Sequence, residues 1–217
     1  MALPLLMLTF DHDCPLCPRL VDYRMENREA HPDWHNGPVQ SFGGFDAELL
    51  ILGLAPGVRG ANRTGRPFTG DWAGDLLYPT LDKFGFSTGK FDARPDDGVE
   101  LVNCRIANAV RCVPPQNKPV GAEIKACGPF LETEVAAMTN LKVILVLGTI
   151  AHNSALGIFG YRKAAYKFGH NELHTFATGP AILDSYHCSR YNTNTGRLTK
   201  EMFHDVFERI RTLIPQP

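Results

Sequence analysis

The 217-residue chain has no long apolar stretch. Its purely aliphatic runs, Leu49–Leu52 and Val143–Leu147, fall far short of the ~20 residues a membrane-spanning helix needs, so the sequence excludes such a helix. The start, Met1–Phe10, is apolar but lacks a basic flank and a small-residue cleavage site, and Asp11 and Asp13 follow at once. That is not a signal-peptide pattern, and a cytoplasmic protein is expected. No surplus of one charge exists either: 22 Lys and Arg against 23 Asp and Glu leave a net charge of −1. Any hold on a polyanion must therefore come from local clustering. With 44% hydrophobic and 21% charged residues, the composition is that of a chain with a real core. The length predicts one domain over residues 1–217, and neither a repeat nor a separating linker interrupts it.

Acidic residues are also absent locally. None occurs from Leu49 to Gly70, where Arg59, Arg63 and Arg66 stand, nor from Leu101 to Ala122, with Arg105, Arg111 and Lys118. Ser185–Lys200 repeats this pattern after Ser185 with Arg190, Arg197 and Lys200, and Val135–Asn171 carries Lys142, Arg162, Lys163 and Lys167. Buried strands, which exclude both signs, account for part of this; a polyanion-binding face built from several loops accounts for it more fully.

Residues 48–54 and 142–148 are aliphatic runs closing on or near Gly, as strands buried on both faces do. Val99–Asn103 and Ala181–Tyr186 are weaker strand candidates. Trp72, Leu76, Leu77, Leu81 and Phe84 recur at helical spacing, as do Ile124, Cys127, Leu131, Val135 and Met138. Residues 202–213 form a last amphipathic helix with Thr199 as its cap, whereas 28–44 and 87–98 read as loops. Strands alternating with helices predict an α/β fold, doubly wound around a mostly parallel sheet, with ligands at the carboxyl ends of the strands.

The six cysteines, at 14, 17, 104, 112, 127 and 188, do not suggest a disulfide framework in a cytoplasmic chain. Cys14-Pro-Leu-Cys17 offers two thiolates to one centre, and Cys112 and Cys127 form a second pair. Four thiolates from two distant segments suit a four-iron cluster or a tetrahedral zinc. A thioredoxin-like dithiol also fits CxxC, but the position before the first strand argues against it. Cys104 and Cys188 read as packing residues or free thiols.

Gly53-Leu-Ala-Pro-Gly57, followed by residues 60–71, is a Gly-rich loop leaving a strand for a helix. It lacks the Gly-Lys-Ser/Thr of a P-loop and is not GxGxxG. Its glycines would let backbone amides approach a flat or anionic ligand. Phe68 can present a ring to a heterocycle or serve as plain core. Asp71 can be a helix-capping residue or a chemical one.

Three segments together resemble a known family: residues 53–57 with Asn62-Arg-Thr-Gly-Arg-Pro-Phe-Thr-Gly-Asp71, residues 108–119 around Asn-Ala-Val-Arg-Cys-Val-Pro-Pro-Gln-Asn-Lys-Pro, and residues 185–199 beginning Ser-Tyr-His-Cys-Ser-Arg-Tyr. With the cysteine spacing, the chain is similar over nearly its whole length to the uracil-DNA glycosylase superfamily, specifically its family five, the B type of bacteria and archaea.

The resemblance implies a three-layer αβα fold on a central, mostly parallel four-stranded sheet. It implies a DNA glycosylase of base excision repair that hydrolyses the N-glycosidic bond of uracil, and of other deaminated bases such as hypoxanthine, acting on nucleoid DNA, double-stranded and also single-stranded; a lone domain with a DNA-facing loop suggests a monomer. Phe68 would stack on the flipped base, with the backbone near Ala55 and the Asn108 side chain reading its edge. His187 would hydrogen-bond the developing oxyanion, and Asp71 and Asn117 would orient water and stabilise the positive sugar. Arg190 and Tyr191 would form the minor-groove wedge; Arg63, Arg66, Lys118 and Arg197 would contact phosphates. Cys14, Cys17, Cys112 and Cys127 would hold a structural 4Fe-4S cluster. No lysine stands at the catalytic positions, so strand cleavage through a Schiff base is not expected. The B type has no polar residue just after the first motif; Val58-Arg59-Gly60 agrees broadly, although Arg59 departs from the small or neutral residue expected. A lesion-binding or iron-sulfur sensing module without excision activity is the rival reading.

Overall fold

A computed structural model describes residues 11–215; Met1–Phe10, read above as no signal peptide, lies outside the described residues. In chain order the elements are α1 (Pro18–Ala30), β1 (Leu49–Gly53), α2 (Ala61–Thr64), α3 (Trp72–Lys83), β2 (Ser87–Thr88), β3 (Glu100–Leu101), β4 (Cys104–Asn108), α4 (Gly121–Ala137), β5 (Val143–Leu147), α5 (Thr149–Ile158), β6 (Leu173–His174), β7 (Ala181–Ser185), α6 (Arg190–Asn194) and α7 (Lys200–Leu213).

The main sheet has the order β4-β1-β5-β7-β6. Four strands run parallel and β6 pairs antiparallel with β7, so the sheet has one short edge strand more than the four expected. Alternate side chains of each parallel strand serve opposite faces, as the strand period requires. Leu49, Ile51, Ile106, Val143, Leu145 and Leu183 form one core with Leu77 and Leu81 of α3 and Phe203, Val206, Phe207 and Ile210 of α7. Leu50, Leu52, Ala107, Ile144, Val146 and Ile182 form the other with Leu131 of α4 and Ala151, Ala155 and Leu156 of α5. Two cores on the two faces of one sheet make the three-layer arrangement. The α7 helix starts where expected, with Thr199 Oγ1 accepting from the Met202 amide (3.2 Å). Each large apolar side chain it buries completely is worth roughly 1.5–3 kcal/mol. No helix among the described residues is long and apolar enough to cross a membrane.

Strand order reverses at β1: the chain goes first to β4 on one side and later to β5 and β7 on the other. The crevice beyond the carboxyl ends of β1, β4 and β7 is thus the place where this topology leaves room for a ligand.

One strand is not where the apolar pattern puts it. Val99–Asn103 contributes only the two-residue β3 of a small hairpin; Asn103 then turns through a left-handed conformation (φ 49°) and its side chain accepts from the Glu48 amide at 2.8 Å. The sheet strand is the next five residues, Cys104–Asn108. Arg105 disguises it. Its guanidinium is buried against Glu134 of α4 (2.6 Å) and lies 3.9 Å from the centre of the Phe45 ring. Glu134 also pairs with the buried Arg111, and these two cations hold its pKa below the ordinary carboxylate value against the opposing effect of burial. Arg105 and Arg111 therefore belong to the interior and leave the supposed polyanion face. Residues 28–30 and 87–88, read as loops, belong to α1 and β2.

A second buried cluster ties β7 to α5. His152 donates Nδ1–H to Asp184 (2.7 Å) and Nε2–H to the Tyr166 carbonyl (3.0 Å), while His174 Nε2 donates to the other Asp184 oxygen (3.1 Å). Both His152 nitrogens face acceptors, which requires the doubly protonated ring. Burial pushes the His152 pKa down, but the hydrogen bond and charge of Asp184 outweigh it, and the net shift is upward.

Glu134→Ala leaves two guanidinium groups buried without their anion and is expected to lower unfolding free energy by about 3–5 kcal/mol in urea titrations; a loss below about 1 kcal/mol would contradict the burial argument. For His152, a raised folded pKa means its stabilisation is complete below the ordinary histidine value and disappears as pH rises through the raised one. The stability difference between wild type and His152→Gln should accordingly shrink from about pH 6 upward; a difference constant from acid to alkaline pH would show that folding leaves the pKa of the ring unchanged, and one that grows with pH would show that the ring is neutral in the fold.

Candidate active site

The crevice at the strand ends is a cleft of about 380 Å³. Its wall is formed by Leu54–Gly57 after β1, Phe68 and Asp71 on the way into α3, Asn108 at the end of β4, Asn117, His187 after β7, and Arg190. Ala55, Phe68, Asp71, Asn108, Asn117, His187 and Arg190, chosen on sequence grounds, thus come together around one cavity although they span more than half the chain.

Two glycines explain how these side chains fit. A Cβ on Gly53, at the end of β1, would lie 2.4 Å from Asn108 Oδ1 and 2.7 Å from the Phe68 ring. A Cβ on Gly60 would lie 2.2 Å from Asp71 Oδ2. The motif's glycines therefore admit neighbouring side chains of the site, where the sequence suggested approach to a ligand. Phe68 itself takes a left-handed backbone (φ 52°), a conformation unusual for an aromatic residue and costing about 1–3 kcal/mol, which the surrounding packing must hold. The strain sets its ring at the cleft wall, with its centre 6.0 Å from that of His187.

Asp71 fulfils both of its readings. It is the N-cap of α3, with Oδ1 accepting from the Ala73 amide (3.2 Å), and it also lines the cleft. Burial raises its pKa above the ordinary carboxylate value, only partly offset by hydrogen bonds from the Ala73 and Gly74 amides. His187 is affected in the opposite sense: burial alone lowers it to about 4, so its ring is neutral at pH 7. Its Nδ1 is buried without a partner. The backbone carbonyl of His187 accepts from Asn192 (2.8 Å), fixing the turn into α6. Asn117 closes a 3-10 turn, Pro115–Asn117, whose last two residues adopt left-handed angles (φ 57° and 56°).

The helix α6 begins at Ser189, whose hydroxyl accepts from the Asn192 amide (3.4 Å). It carries Arg190 and the 73% exposed Tyr191 to the cleft mouth and beyond it: Arg190 is in the lining and Tyr191 is not. Sequence reading missed Trp72. It had counted toward the apolar stripe of α3, yet it is 45% exposed and lines the cleft. Its indole donates to Thr193 Oγ1 (2.8 Å), and the Arg190 guanidinium lies 5.5 Å from its ring centre. An aromatic residue directly after a capping acid is a signal that could have identified it, because that first-turn position need not face the core.

Of the proposed phosphate contacts, Arg63, Lys118 and Arg197 are exposed. Arg66 is corrected. It is buried, makes a bidentate pair with Asp97 (2.7 and 2.8 Å) and lies over the rings of Phe42, Tyr78 and Phe91, so it is not available to a phosphate.

Cys14, Cys17, Cys112 and Cys127 line a second, small cavity between α1 and α4, with Arg24 in the same wall. Burial and neighbouring thiols push Cys17 up to about 11 and Cys112 up to about 12, so each keeps its proton unless a metal takes its place. Among the described residues, His152, His174 and Asp184 are the sole group of three or more His, Cys, Asp or Glu donors within 4.8 Å of one another, and no three of the four sulfurs meet that limit. Four cysteine sulfurs lining one cavity are a donor set that suits a four-iron cluster and also a tetrahedral zinc. The His152 group, with both ring nitrogens of that residue engaged, is accounted for as an ion pair. Cys104 and Cys188 are buried in the core, as expected of packing residues.

Residues 40–211 match the family model described as the uracil DNA glycosylase superfamily. A type-5 uracil-DNA glycosylase of Thermus thermophilus is 44% identical over 206 residues, covering 92% of this chain and 93% of that protein. Type-5 enzymes of Pyrobaculum aerophilum (38% identical, covering 91% and 87%) and Mycobacterium tuberculosis (39%, covering 92% and 78%) are similar over comparable lengths.

Asp71→Asn separates the two roles of the carboxylate. Asparagine caps a helix about as well as aspartate, and the raised folded pKa means that the ionised carboxylate destabilises the fold at neutral pH. The variant is therefore expected to be at least as stable as wild type near pH 7 by thermal unfolding. A lower melting temperature would show the charge to be stabilising.

Proposed function

Because the chain belongs to the uracil-DNA glycosylase superfamily, we propose that it hydrolyses the N-glycosidic bond of uracil in DNA and so initiates base excision repair. The observation that carries this reading is the single cleft at the carboxyl ends of β1, β4 and β7, lined by an aromatic ring, a carboxylate, two asparagines and a neutral histidine.

A base within a duplex must leave the stack to be attacked, at an expense of a few kcal/mol that is least at a mismatch such as uracil opposite guanine. In the cleft, Phe68 provides a flat apolar face, and Asn108 with the backbone near Ala55 provides hydrogen-bonding groups for the base edge. The bond between C1′ and the base nitrogen then breaks, its electron pair leaving with the base and a cation-like sugar remaining. Neutral His187 donates an N–H to the oxygen on which negative charge collects; one such donor is typically worth ~2.7–4 kcal/mol. Asp71, with Asn117, orients a water toward C1′ and balances the sugar's charge. Water oxygen bonds to C1′, its proton passes to solvent by way of the carboxylate, and an abasic site results. Among the described residues that line the cleft none is a lysine, so the reading assigns no Schiff-base step.

The reading extends to other deaminated bases such as hypoxanthine, and to a monomer acting in the cytoplasm on nucleoid DNA, duplex or single-stranded. Arg190 at the cleft mouth and the exposed Tyr191 next to it in the chain would fill the gap left by the base, while Arg63, Lys118 and Arg197 would meet phosphates, each engaged contact adding about 0.9 to the salt slope of binding. Cys14, Cys17, Cys112 and Cys127 would hold a structural 4Fe-4S cluster, whose contribution when bound is to tie α1 to the segment leading into α4.

Incubation with uracil-containing duplex is expected to leave alkali-labile abasic sites; binding without excision would favour the lesion-sensing alternative. Asp71→Asn should lower the single-turnover rate by about 10²–10⁴ with DNA binding retained. His187→Ala should lower it by about 10²–10³. Since His187 titrates near 4, the wild-type rate should show no limb near pH 6.5, and any acid limb should reflect Asp71 above the ordinary carboxylate range. A variant at either position as fast as wild type would remove that residue from the mechanism.

A further inference from the structure

The cavity of the four cysteines has one feature that the cysteines do not explain. On α1, Arg19 pairs with Glu123 and Arg28 with Asp13, both through carboxylates. Arg24, between them, is 3% exposed, and both of its terminal nitrogens donate to a single carbonyl, that of Cys14 (3.2 and 3.1 Å). Its Nε is buried with no partner, in a side chain that lines the cavity shared by Cys14, Cys17, Cys112 and Cys127. A buried donor left unpaired costs about 1–3 kcal/mol, and more on a charged group. A buried cation also needs an anion. Four thiolates around an iron-sulfur core supply both requirements at once: a net negative charge and sulfur acceptors. A backbone hydrogen bond from Arg111 to Cys127 is a further donor of the same kind in this wall.

We propose that Arg24 faces the cluster, its Nε–H hydrogen-bonding a sulfur and its charge offsetting that of the thiolates, so that it raises the cluster's reduction potential and slows its loss. This rests on the iron-sulfur reading given above. The direction follows from charge: reduction makes the centre more negative, and a nearby cation with an N–H···S bond favours that form. The role is electrostatic positioning around a cofactor and involves no step of base excision.

The test uses the protein as purified, with Arg24→Gln and Arg24→Lys. Iron and acid-labile sulfide in the wild type decide the cofactor reading first; a colourless protein holding zinc overturns that reading and the Arg24 role with it, while leaving uracil excision to be judged by its own assay. With iron present, redox titration of Arg24→Gln should give a more negative midpoint, a roughly tenfold fall in the reduced-to-oxidised ratio at the wild-type midpoint, or about 59 mV for one electron. Arg24→Lys, which keeps the charge but not the planar Nε–H, should fall between. Resonance Raman Fe–S bands should move on exchange into D2O in the wild type and move less in both variants, and an iron chelator should strip Arg24→Gln faster. If Arg24→Gln does not retain iron, Arg24→Lys carries the measurement. A variant with wild-type iron content, midpoint and deuterium shift would overturn the proposal.

Discussion

The site is organised around one carboxylate held in a place unfavourable to its charge. Asp71 must end the loop from β1 and begin α3, and its first oxygen is committed to the helix's free amides. The second is directed into space that exists because residue 60 has no side chain. Helix capping thus fixes the carboxylate to backbone geometry and prevents it from rotating toward solvent. Burial then acts on a group that cannot move away, which is why its pKa rises despite two amide donors. A more relaxed arrangement, with a Cβ at residue 60 and the acid displaced outward, would improve solvation but remove the acid from the cleft.

The segment between the cysteine cavity and the cleft connects two parts of the molecule that sequence presents separately. It leaves the cavity at Cys112, turns through Pro115–Asn117 at the cleft wall, and returns to the cavity at Cys127 in α4. Arg19 of α1 closes this loop from outside, with a bidentate bond to Glu123 (both 2.8 Å) and a third to the Lys118 carbonyl (3.1 Å). Asn117 is exposed and has a left-handed backbone, a conformation asparagine adopts more readily than most residues. Its placement depends on anchors at both ends of a short span. The energetic interest of the cysteine cavity for the proposed reaction is therefore mechanical: whatever fixes residues 112 and 127 also fixes residue 117.

How much of this was legible in the sequence follows from which forces leave local traces. β1, β5 and β7 show as apolar runs because both of their faces are buried, and α7 shows as a stripe because only one face is. β4 was displaced by five residues because Arg105 looks like a surface residue until Glu134, 29 positions away, is brought beside it. Arg66 failed for the same reason, since Asp97 lies 31 positions further along. In each case the charge that decides a residue's fate is remote in sequence, and acid-free windows misled for that reason: the missing acids are supplied by other elements. The cleft residues were legible through their resemblance to a family. Composition alone left Phe68 and Asp71 divided between core or cap and chemistry, and the structure shows that division to be false for Asp71, which is cap and cleft residue together.

The opposite pKa shifts of Asp71 and His187 have one origin and a joint consequence. Both result from loss of water around the cleft, which disfavours charge on either group. The segment after β7 also senses the carboxylate: the Cys188 thiol, next to His187, is raised first by burial and then by the charge of Asp71. Had His187 remained as basic as a free imidazole, it could become a cation near this anion, and the pair would neutralise each other. Burial strong enough to lower the histidine to about 4 prevents that ion pair at neutral pH. The carboxylate then remains available to a positive sugar and the imidazole to a negative leaving group, two charges that arise together only while the glycosidic bond breaks. The same desolvation that would count as a penalty for either residue alone keeps the two from satisfying each other before substrate arrives.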